Sequence, residues 1–183
     1  MQKQNMVDGL NFQISPIDVC EGCLYGKFKQ IPYTRSTTKT QKPLQLIHSD
    51  LCGPMPTRSL IGSQYFLTFI DDHTHFTIVS FLKTKSEVLS HFIAYKTFVE
   101  NQMSQKIQAI RTDNGGEYIS KDFIAYCQHH GIQHQLTVPY HPQQNGKAER
   151  KNGTLMAAAC SMMKVASLSN AYWEEAVATA CYT

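Results

Sequence analysis

From Leu44 onward the apolar positions fall into short runs separated by turn residues, and these runs predict a sheet followed by alternating helices and strands. Leu44, Leu46 and Ile47 to Leu51 suggest a buried strand ending near Asp50. Gly53-Pro54, Pro56 and Gly62 break the chain after it. Tyr65 to Ile70 reads as a second strand, closed by Asp71 and Asp72. Phe76 to Leu82, rich in aromatic and β-branched residues, reads as a third. Three such strands with modest connections suggest an antiparallel meander.

The period then changes. Ser86 is a candidate N-cap for a helix carrying Val88, Leu89, Phe92, Tyr95, Phe98 and Val99 at helical spacing. Ile107 to Thr112 predicts a short strand that delivers Asp113 at its end. Ser120 caps a second helix, with Phe123, Ile124 and Cys127 inward and Gly131 as its stop. Ile132 to Val138 returns as a strand. Pro139 and Pro142 hold an irregular loop before a helix that opens near Asn145, carries Glu149 and runs to Val165. Ser169 begins a last helix containing Trp173. This order is that of a ribonuclease-H-like α/β domain, a mixed five-stranded sheet flanked by helices.

Residues 1–24 are poorly periodic and end in C-E-G-C, and 25–43 are polar and basic, which is linker composition. The predicted organisation is therefore a small N-terminal module over 1–24, a linker over 25–43, and a main domain over 44–183. The chain's formal charge is +3, and all of it lies upstream. Residues 1–43 hold six Lys or Arg against three acids, whereas 44–183 hold 11 of each sign. Apolar residues make up 42% and charged residues 17%, a globular composition. No apolar run reaches the roughly 18 residues that a bilayer span needs, and the N-terminus does not resemble a signal peptide. A soluble intracellular protein is expected. Cys52, Cys127, Cys160 and Cys181 are scattered, as small core residues in a reducing compartment would be.

The chemistry concentrates in three carboxylates. Asp113 lies in R-T-D-N-G-G-E-Y, Glu149 ends P-Y-H-P-Q-Q-N-G-K-A-E, and 35 residues separate them. Asp50 lies upstream in an apolar stretch. Acidic side chains from separate elements are what a site needs to hold two Mg²⁺ ions against a phosphodiester, because hard cations take oxygen ligands. Each has a plainer reading too: a strand-end hydrogen bonder, a turn residue, a solvated helix acid. Asp71 and Asp72 read as capping or loop residues. Lys147, Arg150 and Lys151 suit either phosphate contact or a solvated basic face. Gln143, Gln144 and Asn145 carry amides suited to DNA contact near a helix start, and Asn145 also suits a cap. His129, His130 and His134 read as surface histidines.

The words L-I-H-S-D-L-C-G-P-M, Y-F-L-T-F-I-D-D, I-R-T-D-N-G-G-E-Y, P-Y-H-P-Q-Q-N-G-K-A-E-R-K-N and Y-W-E-E-A-V-A-T-A-C-Y, in this order, resemble the integrase of a copia-type LTR retrotransposon, part of a Pol polyprotein. The 35-residue gap equals that family's D,D(35)E spacing. The resemblance implies a core that uses two Mg²⁺ or Mn²⁺ ions, trims the 3′ ends of element DNA and joins them to target DNA. It implies that Asp50 and Asp113 share the metals and that Glu149 holds the second ion. Element ends and target DNA are the implied partners, with a homo-oligomer acting in the nucleus (otherwise the cytoplasm) and no membrane.

The same resemblance marks Cys20 and Cys23 as the second half of a zinc-binding module. No histidine precedes them, the first being His48, and two cysteines do not close a tetrahedral zinc site. Gly153 stands where the family has arginine, one turn past the catalytic Glu, and costs the helix roughly 1 kcal/mol relative to alanine. A core lacking its last elements is expected. Two rivals follow: a catalytically silent remnant that at most binds nucleic acid, and a ribonuclease H acting on hybrids, against which the long P-Y-H-P-Q-Q-N-G word argues.

Overall fold

The computed structural model describes residues 40–137 and 146–182, all within the unit Thr38–Thr183. Cys20 and Cys23, the 1–24 module, residues 25–39 of the 25–43 segment, and Gln143, Gln144 and Asn145 lie outside the described residues.

Five strands form one mixed sheet in the order β3-β2-β1-β4-β5. They are β1 (Ile47–Cys52), β2 (Tyr65–Asp71), β3 (Thr77–Leu82), β4 (Ala109–Thr112) and β5 (Gln133–Leu136). The first three make the expected antiparallel meander, and β4 and β5 extend it in parallel from β1. Parallel neighbours need crossovers. Helix α1 (Val88–Met103) carries the chain from β3 to β4, and α2 (Lys121–His129) carries it from β4 to β5. Helices α3 (Gly146–Val165) and α4 (Trp173–Tyr182) follow.

Side-chain alternation along β1 decides what each face becomes. Ile47 and Leu51 join the core built with α1 and α2, around Leu67, Phe69, Phe92, Ile110 and Phe123. Cys52 belongs to a second core, where Phe66 meets Leu155 and Ala159 of α3 and Trp173 and Val177 of α4. His48 and Asp50 share that second face, beneath α3. The cap at Ser120 forms as expected, accepting from Phe123 N at 3.3 Å, and Gly131 ends α2 at φ +65°. Gly53, just past β1, is at φ +132°, and a Cβ there would meet the Gln64 carbonyl oxygen at 2.7 Å. Only glycine closes that turn.

Three local expectations differ from the structure. Ser86 lies inside a short 3-10 turn (Lys85–Glu87), and α1 starts after it without a side-chain cap. The Glu87 carboxylate accepts instead from Lys83 N at 3.0 Å and Thr84 Oγ1 at 3.1 Å, satisfying the preceding turn. Phe98 is exposed, while Lys96 and Glu100 of α1 are buried. Glu100 accepts from Lys96 Nζ, Lys106 Nζ and Ile107 N at 3.1, 2.8 and 3.0 Å, so a buried charge is held by three donors. Of the scattered cysteines only Cys127 is fully buried, and Cys160 is exposed.

Candidate functional site

Asp50 stands on β1 with its carboxylate facing α3. The β1–β4 ladder pairs Ile47 with Ile110 and His48 with Arg111, and the same offset sets Asp113, just past β4, beside Asp50. Neighbouring strands are about 4.8 Å apart, so the two aspartates are lateral neighbours on one face. Asp113 is shaped by its own turn: Oδ1 accepts from Gly115 N at 3.0 Å, and Asn114 Nδ2 donates to the Thr137 carbonyl at 3.0 Å. The Tyr118 of the same word is fully buried and shares a 3.0 Å hydrogen bond with Ser49, pinning the turn to the core.

Glu149 is an exposed residue of the first turn of α3. One turn further on, Asn152 is buried and its Nδ2 donates to Asp50 Oδ2 at 2.8 Å. That bond fixes the helix across the aspartates. The arrangement has an electrostatic signature: burial pushes the Asp50 carboxyl up to about 6, the neighbouring Asp113 and Glu149 charges add to the rise, and the Asn152 hydrogen bond opposes it. Three acidic groups from β1, the β4 end and α3 therefore feel one another. Among the described residues, no group of three or more His, Cys, Asp or Glu side chains is placed so as to hold a metal ion. The donor set nonetheless fits a hard divalent cation. It is all carboxylate oxygen, and its mutual repulsion is what such an ion relieves.

Other candidates fall elsewhere. Lys147 donates from Nζ to Asp72 Oδ1 at 2.7 Å and to the Asp72 carbonyl at 2.9 Å, an internal anchor instead of a free surface cation. Arg150 is exposed and folds back towards Gly146, and Lys151 is half-buried. Asp71 is structural, accepting from Leu44 N, Thr74 N and Thr74 Oγ1. Asp72 also accepts from His48 Nε2 at 2.9 Å and from Thr40 Oγ1 at 2.8 Å. Burial works against its ionisation, but the Lys147, His48 and Thr40 hydrogen bonds outweigh it and hold the pKa below the usual carboxylate range. His134 is not a surface residue: it is half-buried, 2.9 Å from Thr112 Oγ1, with its ring against Phe123. His129 and His130 are exposed as expected.

Asn152 and His48 escaped the reading of the sequence, and Asp72, read there as a capping or loop residue, holds Lys147 and His48. Asn152 is three residues after Glu149 and so shares its face, a spacing that marks it in retrospect. Glu117 escaped as well: its Oε1 and Asp113 Oδ1 lie 2.7 and 3.0 Å from the point where a Gly115 Cβ would stand. That adds a fourth carboxylate at the edge of the cluster.

Residues 40–142 match the family model described as "Integrase core domain", and residues 130–178 match a second model with the same description. The chain is 44% identical over 163 residues to the retrovirus-related Pol polyprotein from transposon TNT 1-94 of Nicotiana tabacum. It is 34% identical over 163 residues to that from transposon RE1 of Arabidopsis thaliana. Each alignment covers 89% of this chain, which spans 12% and 11% of those relatives' lengths.

Among solved structures, the simian T-cell lymphotropic virus intasome in complex with PP2A regulatory subunit B56 gamma matches with a TM-score of 0.62 and 21% identity, covering 80% of this chain and 50% of that one. The magnesium-bound HTLV-2 integrase catalytic core, in its dimeric form, matches with a TM-score of 0.55 and 20% identity, covering 77% and 86%. Likeness at such identity establishes the fold, and that fold is ribonuclease-H-like.

Proposed function

The chain belongs to the integrase core domain family, and from that premise we propose that it performs divalent-metal-dependent polynucleotidyl transfer on DNA: trimming of retrotransposon 3′ ends and joining of those ends to target DNA. What supports the reading is the placement of the carboxylates: Asp50 on β1, Asp113 beside it past β4, and Glu149 on the helix that Asn152 ties to Asp50 at 2.8 Å, with burial and both neighbouring charges raising the Asp50 carboxyl. A half-buried acid repelled by two more is poorly arranged for stability and well arranged for a cation.

Asp50 and Asp113 are proposed to hold the shared ion and Glu149 the second. Bound there, the two Mg²⁺ or Mn²⁺ ions supply charge neutralisation for the attacking and leaving oxygens of an in-line displacement. The protein's own share is positioning. Asn152 orients Asp50 through its 2.8 Å hydrogen bond, and the Lys147–Asp72 pair fixes the first turn of α3, from which Glu149 projects. Arg150 and Lys151 remain the candidates for phosphate contact, with Gln143, Gln144 and Asn145 as DNA-binding candidates from the preceding segment. DNA ends and target DNA are the proposed partners, in a homo-oligomer acting in the nucleus. Residues 44–183 are proposed as the catalytic core, with 25–43 as linker and 1–24 as the zinc-module remnant. Among the described residues no helix is long and apolar enough to cross a membrane.

The direct test is strand transfer of a labelled duplex end in Mg²⁺ or Mn²⁺. Activity is expected to need the metal and to fall at least about a hundredfold in Glu149→Gln, as for loss of a group acting mainly in the transition state. Activity that ignores this substitution removes the assignment. A second reading, a silent remnant that only binds DNA, draws support from Gly153, which leaves the exposed face beside Glu149 without a side chain. It predicts DNA binding with no metal-dependent product.

A further inference from the structure

The sheet face that carries Asp50 continues past the carboxylates onto β4 and β5, where Arg111 and Gln135 are half-buried and Gln133 is exposed. Arg111 pairs in register with His48 on β1 and with Gln135 on β5, so the three make one row across the sheet. Asp113 lies two residues along from Arg111, a step of about 6.6 Å in strand geometry.

The guanidinium is aimed by an amide, and among the described residues it meets no carboxylate. Its Nε and Nη2 both donate to Gln135 Oε1, at 3.2 and 2.8 Å. Gln135 in turn donates from Nε2 to Gln133 Oε1 at 3.2 Å, so an amide chain fixes the fork. An arginine has five N–H donors, and two of them go to this one neutral oxygen. Among the described residues no carboxylate lies within ion-pair distance of Arg111. The charge of Asp72 reaches it, yet the Asp72 side chain is already held by Lys147, His48 and Thr40. Half-burial of a cation beside a neutral amide leaves a charge that attracts an anion, and the donors left on Nη1 and Nη2, the edge not given to Gln135, suit a phosphate.

We propose that Arg111, aimed by Gln135, binds a non-reacting phosphodiester of the nucleic-acid strand whose scissile link lies at Asp50, Asp113 and Glu149. The cation sits at the flank of an acidic cluster that would otherwise repel the strand, and so offsets the repulsion where the strand must approach. This deepens the proposed catalytic reading and rests on it for the placement of the scissile bond.

The test is fluorescence anisotropy of a labelled DNA duplex of about 30 base pairs with the full chain, in EDTA, across a series of KCl concentrations. Arg111→Gln is expected to weaken binding about tenfold at low salt and to lower the slope of log K against log salt by about 0.9, one phosphate's share. Gln135→Glu sets a carboxylate against the guanidinium and supplies the missing anion from within. It is expected to keep or raise the melting temperature while weakening DNA binding by a similar factor. If Arg111→Gln does not fold, Gln135→Glu decides alone.

Affinity and salt slope at the parent values in either folded variant overturn the proposal. Metal-dependent strand transfer by the parent chain is measured alongside. Loss of binding in the variants with an inactive parent sinks the catalytic reading and leaves the phosphate contact standing. Unchanged binding with an active parent does the reverse.

Discussion

A carboxyl group whose pKa lies near 6 in the folded chain and near 3.9 when unfolded makes stability depend on pH in a definite direction, and Asp50 is such a group. Between those values the folded chain keeps a proton that the unfolded chain has released. The associated stability is fully present below about pH 4 and is lost as pH rises through about 6, by at most about 3 kcal/mol. Asp50→Asn removes the charge while keeping an acceptor for Asn152. Denaturant unfolding should find this variant more stable than the parent at pH 7.5 and equal to it at pH 4. Parallel pH profiles would contradict the electrostatic account. Gly153 supplies a second prediction. It is exposed in the interior of α3, and nothing lies within 4 Å of a Cβ there. Gly153→Ala should raise stability by up to about 1 kcal/mol, read as a melting-temperature rise of about 2–4 °C.

Among the elements, α3 carries the most functional weight. Its first two turns are each tied down once, by Lys147 to Asp72 and by Asn152 to Asp50. Lys147→Ala and Asp72→Ala should show a coupling of about 1–3 kcal/mol in a double-mutant cycle of unfolding. Each should also lower the strand-transfer turnover about tenfold without changing the salt slope of DNA binding. A smaller salt slope with normal turnover would return Lys147 to phosphate contact. In the sequence, Lys147 and Lys151 at i, i+4 suggest a basic stripe, and Asp71-Asp72 suggest a loop cap. Nothing local links positions 75 residues apart. The same limit explains α1, where helical spacing marks Phe98 as inward. The three donors converging on Glu100, two of them from beyond the helix, bury the charged side of the helix instead.

At the scale of the whole domain, the strand and helix order was readable because hydrophobic period, glycine stops and the Ser120 cap are local signals. The order limited the topology to a mixed sheet, and the parallel placement of β4 and β5 beside β1 came from the structure. Asp50, Asp113 and Glu149 were legible as words at family spacing. Asn152, the pairing of Asp72 with Lys147 and the Arg111–Gln135 row were not, since each acquires meaning only from a partner on another element. The described domain is a sheet with two cores, one on each face, and a polar end where β1, the β4 turn and α3 meet.

The measurement that bears most directly on this account is anomalous diffraction from crystals of the chain grown or soaked with Mn²⁺. The account predicts a peak between the Asp50 and Asp113 carboxylates, with oxygen ligands at about 2.0–2.2 Å, that disappears in Asp50→Asn. A map with manganese bound elsewhere and none at these carboxylates would contradict it.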